Sequence, residues 1–172
     1  MNEADTPWTN MASRVVRVLL TRKGFSYAAL SGALSILGVT ENGRSLASRV
    51  SRGRIKLALL LQIISVTKAK VPHLWEQPLN MAGTWEDLSK AVVSAELSRQ
   101  PSVTLDELAH RLVRLGADLT EKTLVLHLSN GTLSLPVFLQ CLVALGSSSL
   151  ELYVDYEDLV LAARASAAAV AE

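Results

Sequence analysis

Between Arg44 and Arg52 the chain carries a set of side chains suited to a nucleic-acid groove. Ser45, Ser48, Arg49 and Arg52 recur at i, i+3, i+4 and i+7, one stripe of a helix, and Arg44 flanks that stripe. Leu46 and Val50 are spaced to point the other way, into a core. Serine is short enough to let a helix approach bases, and arginine can offer guanine O6 and N7 two donors at once. Arg44, Ser45, Ser48, Arg49 and Arg52 are therefore the expected base contacts. Arg54 and Lys56 follow directly, and Arg22 and Lys23 lie upstream. These four are the expected phosphate contacts, which fix register without reading sequence. Between residues 14 and 70 one acid, Glu41, stands among 11 Lys/Arg. An ordinary solvated face would mix both signs.

A net charge of +1 hides this polarity. Residues 1 to 75 carry +8 and residues 76 to 172 carry −7. Such a split suggests a polyanion-binding module beside one with another task. Catalytic chemistry is not expected. The three histidines, His73, His110 and His127, and the single Cys141 have no metal-ligand spacing, and no glycine-rich phosphate loop or nucleophile set is evident. No cofactor or effector pocket is expected. Cys141 sits in an apolar run and reads as a small core residue of a reducing compartment. The polar, acidic start is unlike a secretory signal, and the longest apolar run, 57–66, is too short to cross a bilayer. A cytoplasmic protein with no membrane contact is expected.

The elements that must position the stripe occur twice. Trp8 is answered by Trp85, 77 residues on, and past an inserted residue near Pro101 the offset becomes 78. Leu37-Gly38 then matches Leu115-Gly116, Ser51 matches Ser129, Gly53 matches Gly131, and Leu61-Gln62 matches Leu139-Gln140. Glycines and core leucines in register over so long a period imply two copies of one small fold. Domains of this size are marginal alone, so the copies should pack on each other or on a partner. Helical spacing runs throughout. Thr6-Pro7 opens a first helix, Ser26 caps a second that stops at Gly38, a third ends at Arg52-Gly53, and a fourth, 57–66, is apolar on nearly every face. In the second copy Thr84 with Asp87 and Thr104 with Glu107 are expected caps. The predicted organisation is a basic domain over 1–70, a linker over 71–83, an acidic domain over 84–150, and a C-terminal helix within 151–172, preceded by a short extended piece at 150–154. Tyr156, Leu159, Val160, Ala163, Ala167 and Val170 form the stripe of that last helix, which would either cap the domain or pair with its twin in a homodimer.

The order of helices, with Leu-Gly-Val closing the second and Ser-Arg-Gly closing the third, resembles the helix-turn-helix domain of phage Cro and repressor proteins. More closely, the run from Arg22 to Leu30, with Ser51-Arg52-Gly53 and Leu61-Gln62, resembles a bacterial family known mainly as a domain of unknown function and thought to be helix-turn-helix. The resemblance implies an all-α fold of two tandem four-helix domains plus a C-terminal helix, and puts Arg44, Ser45, Ser48, Arg49 and Arg52 on a recognition helix. Here the second helix is about a turn longer than in the phage proteins and the connection after it is extended. The matching stripe of copy two reads Lys122, Thr123, Leu126, His127 and Asn130. It has lost two arginines and gained a leucine beside acids, so copy two is expected to have left DNA for protein contact. The expected function is a sequence-specific double-stranded DNA-binding regulator of transcription, a repressor, acting as a homodimer. The alternatives are an adaptor or antitoxin whose acidic half grips a protein partner, and a sequence-indifferent architectural DNA binder.

Overall fold

Local chemistry sets most of the helix ends. The Thr6 hydroxyl accepts the Thr9 N–H in a capping box, with Pro7 at the first helical position, where its missing donor costs nothing. Ser26, Asn42, Thr84, Thr104, Thr120 and Ser134 each cap the next helix through a side-chain oxygen. The computed structural model describes residues 6–171, with side chains through residue 168. Among the described residues the chain is all-helical: α1 (Pro7–Lys23), α2 (Tyr27–Ser35), α3 (Gly43–Ser51), α4 (Leu57–Thr67), α5 (His73–Leu79), α6 (Trp85–Leu97), α7 (Leu105–Arg114), α8 (Glu121–Asn130), α9 (Leu135–Ala144) and α10 (Tyr156–Ala171). Helices α1–α4 form copy one and α6–α9 copy two.

The copies are related by an approximate two-fold whose centre is visible in the backbone. Lys56 and Ser134, equivalent positions 78 residues apart, face each other in an isolated antiparallel bridge. Leu57 N–H donates to Leu133 C=O at 3.1 Å, and Leu135 N–H donates to Ile55 C=O at 2.8 Å. Each copy thus gives the other the same bond at the same place.

Packing follows this symmetry crosswise. Helix α1 lies mainly against α9, α10 and α3 and only lightly against α4 of its own copy, while α6 lies mainly against α5, α4 and α8. The exit segments cross as well. Trp75 on α5, fully buried, meets Phe138 edge-on with ring centres 5.7 Å apart, and its Nε1–H donates to Glu96 Oε1 on α6 at 2.8 Å. Its counterpart Tyr153 donates its hydroxyl to Lys70 C=O at 2.6 Å and lies 5.9 Å beneath the Arg22 guanidinium of α1. Helix α10 then packs on α1 and α9, pinned by Arg14 to Asp158 at 2.8 Å.

The copies pack on each other and share one hydrophobic cluster that runs from Trp8 to Ala163. Other expectations change here. The stretch 71–83 is not a bare linker but holds α5, with Pro72 as its N-cap and Pro78 in its last turn. Residues 150–154 are turns, not an extended piece. Of the α10 stripe, Leu159 and Ala163 are buried within the chain, Tyr156 and Val160 are half-buried and Ala167 is exposed. The Val170 side chain lies outside the described residues.

The repeated glycines have a steric cause. Gly53 has φ +66°, and a Cβ there would stand 2.1 Å from Thr9 C=O on α1. Gly131 has φ +76° and would meet Glu86 C=O on α6 at the same 2.1 Å. Each third helix therefore ends against the backbone of its own first helix, where only glycine fits. Among the buried positions where the copies differ, one exchanges an apolar side chain for a charged one. Leu19, fully buried, corresponds to Glu96, which is 2% exposed and whose Oε2 has no hydrogen-bond partner among the described residues. A buried carboxylate oxygen left unpaired is costly. Nearby Cys141 is a free, buried thiol that burial, and then the Glu96 charge, hold well above its ordinary pKa, which makes it inert.

Gly53→Ala and Gly131→Ala should each destabilise the fold by roughly 3 kcal/mol or more, read from denaturant midpoints, since both backbone conformation and space are wrong. A shared core also requires one cooperative transition: tryptophan fluorescence and helical circular dichroism should unfold together, and two separated transitions would mean that the copies fold independently.

Candidate nucleic-acid interface

Helix α3 is held from below by Leu46 and Val50, both fully buried. Its start is seated on α2, where a Cβ at Gly43 would come within 3.1 Å of the Tyr27–Ala28 backbone. Its end is seated on α1 through Gly53. The connection between α2 and α3 is anchored where the Ser31 hydroxyl donates to Glu41 C=O at 2.6 Å. The outer face of α3 is thus fixed relative to α1 and α2 before any ligand arrives.

That face is only partly the open stripe expected. Arg44, Ser48 and Arg52 are exposed. Ser45 and Arg49 are half-buried, and both are bound to the same carboxylate: Ser45 Oγ donates to Glu41 Oε1 at 2.6 Å and Arg49 Nη1 to Glu41 Oε2 at 2.5 Å. Arg52 is the C-cap residue of α3, and its guanidinium folds back on Ser48, 2.9 Å from the hydroxyl and 3.3 Å from the carbonyl. Arg49 is therefore not a free arm. Glu41 was not among the expected site residues, though its place four residues before Ser45 and eight before Arg49 was a usable sign.

Of the four expected phosphate contacts, Arg54 and Lys56 are exposed beside the two-fold, just past the end of α3. Lys23 is exposed at the end of α1, near the start of α2. Arg22 is engaged over Tyr153 instead. Among the described residues Lys23, Arg44, Arg52, Arg54 and Lys56 have no carboxylate partner. Like charges left together without counter-charges repel one another, and a polyanion would relieve that repulsion.

Helix α8 takes the place of α3 on the other side of the two-fold. Gly53 and Gly131 each lie three residues from the bridged pair, on opposite sides, hence roughly 20 Å apart at extended spacing. The α8 face is organised differently. Lys122 is exposed, whereas Thr123 closes the N-terminal cap with Thr120. His127 Nδ1 is 2.7 Å from the Thr132 hydroxyl, and Asn130 Oδ1 accepts from the Thr132 N–H at 3.1 Å and from its hydroxyl. Both polar residues are thus turned toward their own loop. Leu126 is 57% exposed, and Leu119, at the place of Glu41, is 40% exposed. Where copy one has a carboxylate with its partners, copy two has the exposed Leu119, flanked in sequence by the exposed acids Asp118 and Glu121, the latter paired with His110 at 2.7 Å.

Among the described residues there is no group of three or more His, Cys, Asp or Glu that could hold a metal ion, and no helix is long and apolar enough to cross a membrane. Neither the curated proteins nor the solved structures contain a significant match to this chain. Residues 8–71 and 85–150 do each match a family model described as a domain of unknown function, DUF6471. The two matches follow the boundaries of the structural repeat, cover most of the chain, and establish that it belongs to that family as a tandem duplicate.

Proposed function

We propose that the chain binds double-stranded DNA and regulates transcription, as a repressor, with α2 and α3 as a helix-turn-helix unit and α3 entering the major groove. The observation that carries this reading is the set of cations that, among the described residues, have no carboxylate partner at the two ends of α3, Arg44 at its start and Arg52, Arg54 and Lys56 at its end. In this reading Arg54, Lys56 and Lys23 grip phosphates, while Arg44, Ser48, Arg52 and the carboxylate-held Arg49 face bases. Arg22, occupied by Tyr153, is left out of the contact set. We place the two-fold inside one chain, because α3 and α8 flank an internal axis and Leu159 and Ala163 of the α10 stripe are buried within the chain, where α10 packs on α1 and α9. The activity is binding, not catalysis, and its setting the cytoplasm. The relation to the phage Cro and repressor proteins is part of this proposal.

A second reading is favoured by Leu119 and Leu126. Exposed apolar side chains, with the acids Asp118 and Glu121 flanking Leu119 in sequence, suit a protein partner on the acidic half. A stoichiometric partner that co-purifies from the native host and is lost in Leu126→Glu, with duplex affinity unaltered, would support this role.

Mobility shifts with duplexes from upstream of the chain's own gene, run over a salt series, test the main reading. Affinity should fall steeply with salt. Binding to no duplex even at low salt would defeat it. Lys56→Ala should weaken binding to all sequences alike and reduce the salt slope by about 1. Arg49→Ala should cost about 1–3 kcal/mol against the preferred site and relax base preference, as measured by competition with mismatched duplexes.

A further inference from the structure

We propose that Glu41 determines the specificity of the α3 face: it holds Arg49 so that one edge of the guanidinium reads a guanine, and it withholds that charge from phosphates. This rests on the DNA-binding reading of α3.

Both Glu41 oxygens are used, one by Ser45 Oγ and one by Arg49 Nη1, and its own carbonyl is tied to Ser31 on α2. The Glu41 side chain is only 17% exposed, whereas that of Arg49 is 36% exposed. The carboxylate is thus set back and the guanidinium reaches past it. Arg49 donates through Nη1 alone; its Nε and Nη2 edge makes no hydrogen bond among the described residues. That edge carries two parallel donors, the arrangement guanine O6 and N7 require. An unrestrained arginine gives up rotamer freedom when it binds, and one already pinned gives up less.

An acid in this position would otherwise be a liability. It is the single carboxylate in a stretch where every other charge is positive, and phosphates repel it. Arg52 makes the contrast, since it leans on the neutral Ser48 and keeps its full charge available. The second copy supplies an independent observation. Glu41, Ser45 and Arg49 correspond to Leu119, Thr123 and His127, so the three members are replaced together where the face has lost its arginines. There His127 turns to Thr132. A carboxylate that merely stabilised the turn would have no reason to depart with its arginine.

The test is selection of duplexes from a random pool by the full chain, by Glu41→Gln and by Arg49→Lys, with thermal melting to establish that each is folded. The wild type should enrich a guanine at one position. Glu41→Gln should bind unselected duplex about fivefold tighter, with a salt slope steeper by about 1, and lose that guanine preference by about tenfold or more. Arg49→Lys keeps the charge but not the fork; it should lose the same preference while binding unselected duplex as the wild type does. If Glu41→Gln fails to fold, Glu41→Leu, which puts in place the residue that copy two carries at this position, is read in its stead with the same expectations. Retention of the guanine preference in either folded variant overturns the proposal but leaves DNA binding standing. A wild type that binds no duplex removes the DNA reading, and this proposal with it.

Discussion

Two helices with almost no polar side must be covered all round, and the arrangement of everything else answers that requirement. Helices α4 and α9 carry apolar residues on nearly every face. An apolar helix face left in water forfeits about 25 cal/mol for each Å² not buried. Helix α2 covers one side of α4, and α7 and α10 cover parts of α9; the opposite copy supplies further cover, as α6 on α4 and α1 on α9. The backbone exchange at Lys56 and Ser134 sets the register of that mutual cover, because α4 and α9 begin directly after it. Once the two are locked, α3 and α8 are placed on either side of the seam by Gly53 and Gly131.

The helix ends were legible because the signals that set them are local. A serine or threonine followed by an N–H three residues on, a glycine at φ > 0 and a proline at a first turn act within one turn of chain. The crosswise packing was not legible. Leu19 and Val16 are buried whichever apolar helix they meet, and a period of 77 or 78 residues is equally compatible with α1 on α4 or on α9. The same ambiguity left the reading of α10 open between two covers, since Leu159 and Ala163 have the same spacing whether they face their own chain or a twin. Helix α5 was obscured by Pro72 and Pro78, which look like linker punctuation although one starts the helix and the other is tolerated at its end. At the candidate site the stripe itself was legible from periodicity. The partners of its members were not, because Arg49 to Glu41 is a contact between a helix and the turn before it.

Duplication within one chain frees the two halves to change separately. A homodimer repeats each substitution twice about its axis, whereas here Leu19 is matched by Glu96, Glu41 by Leu119 and Ser48 by Leu126. The shared core tolerates this because the divergent positions are of two kinds. Ser48 and Leu126 on the third helices face outward and cost the fold little, and Glu41 and Leu119 lie in the turns just before those helices. Glu96 lies inside, and the Trp75 indole from the crossing segment satisfies one of its oxygens. The acidic half can thus change its surface without loosening the basic half.

The segment between α4 and α6 has a consequence for behaviour inside a cell. Pairing between separate chains obeys mass action and is lost when molecules are few. Here residues 68–84 tether one half to the other, so the partner of each half is always present at a high local concentration. The intertwined state is then indifferent to dilution, and a cell holding a handful of these molecules would have every one of them assembled.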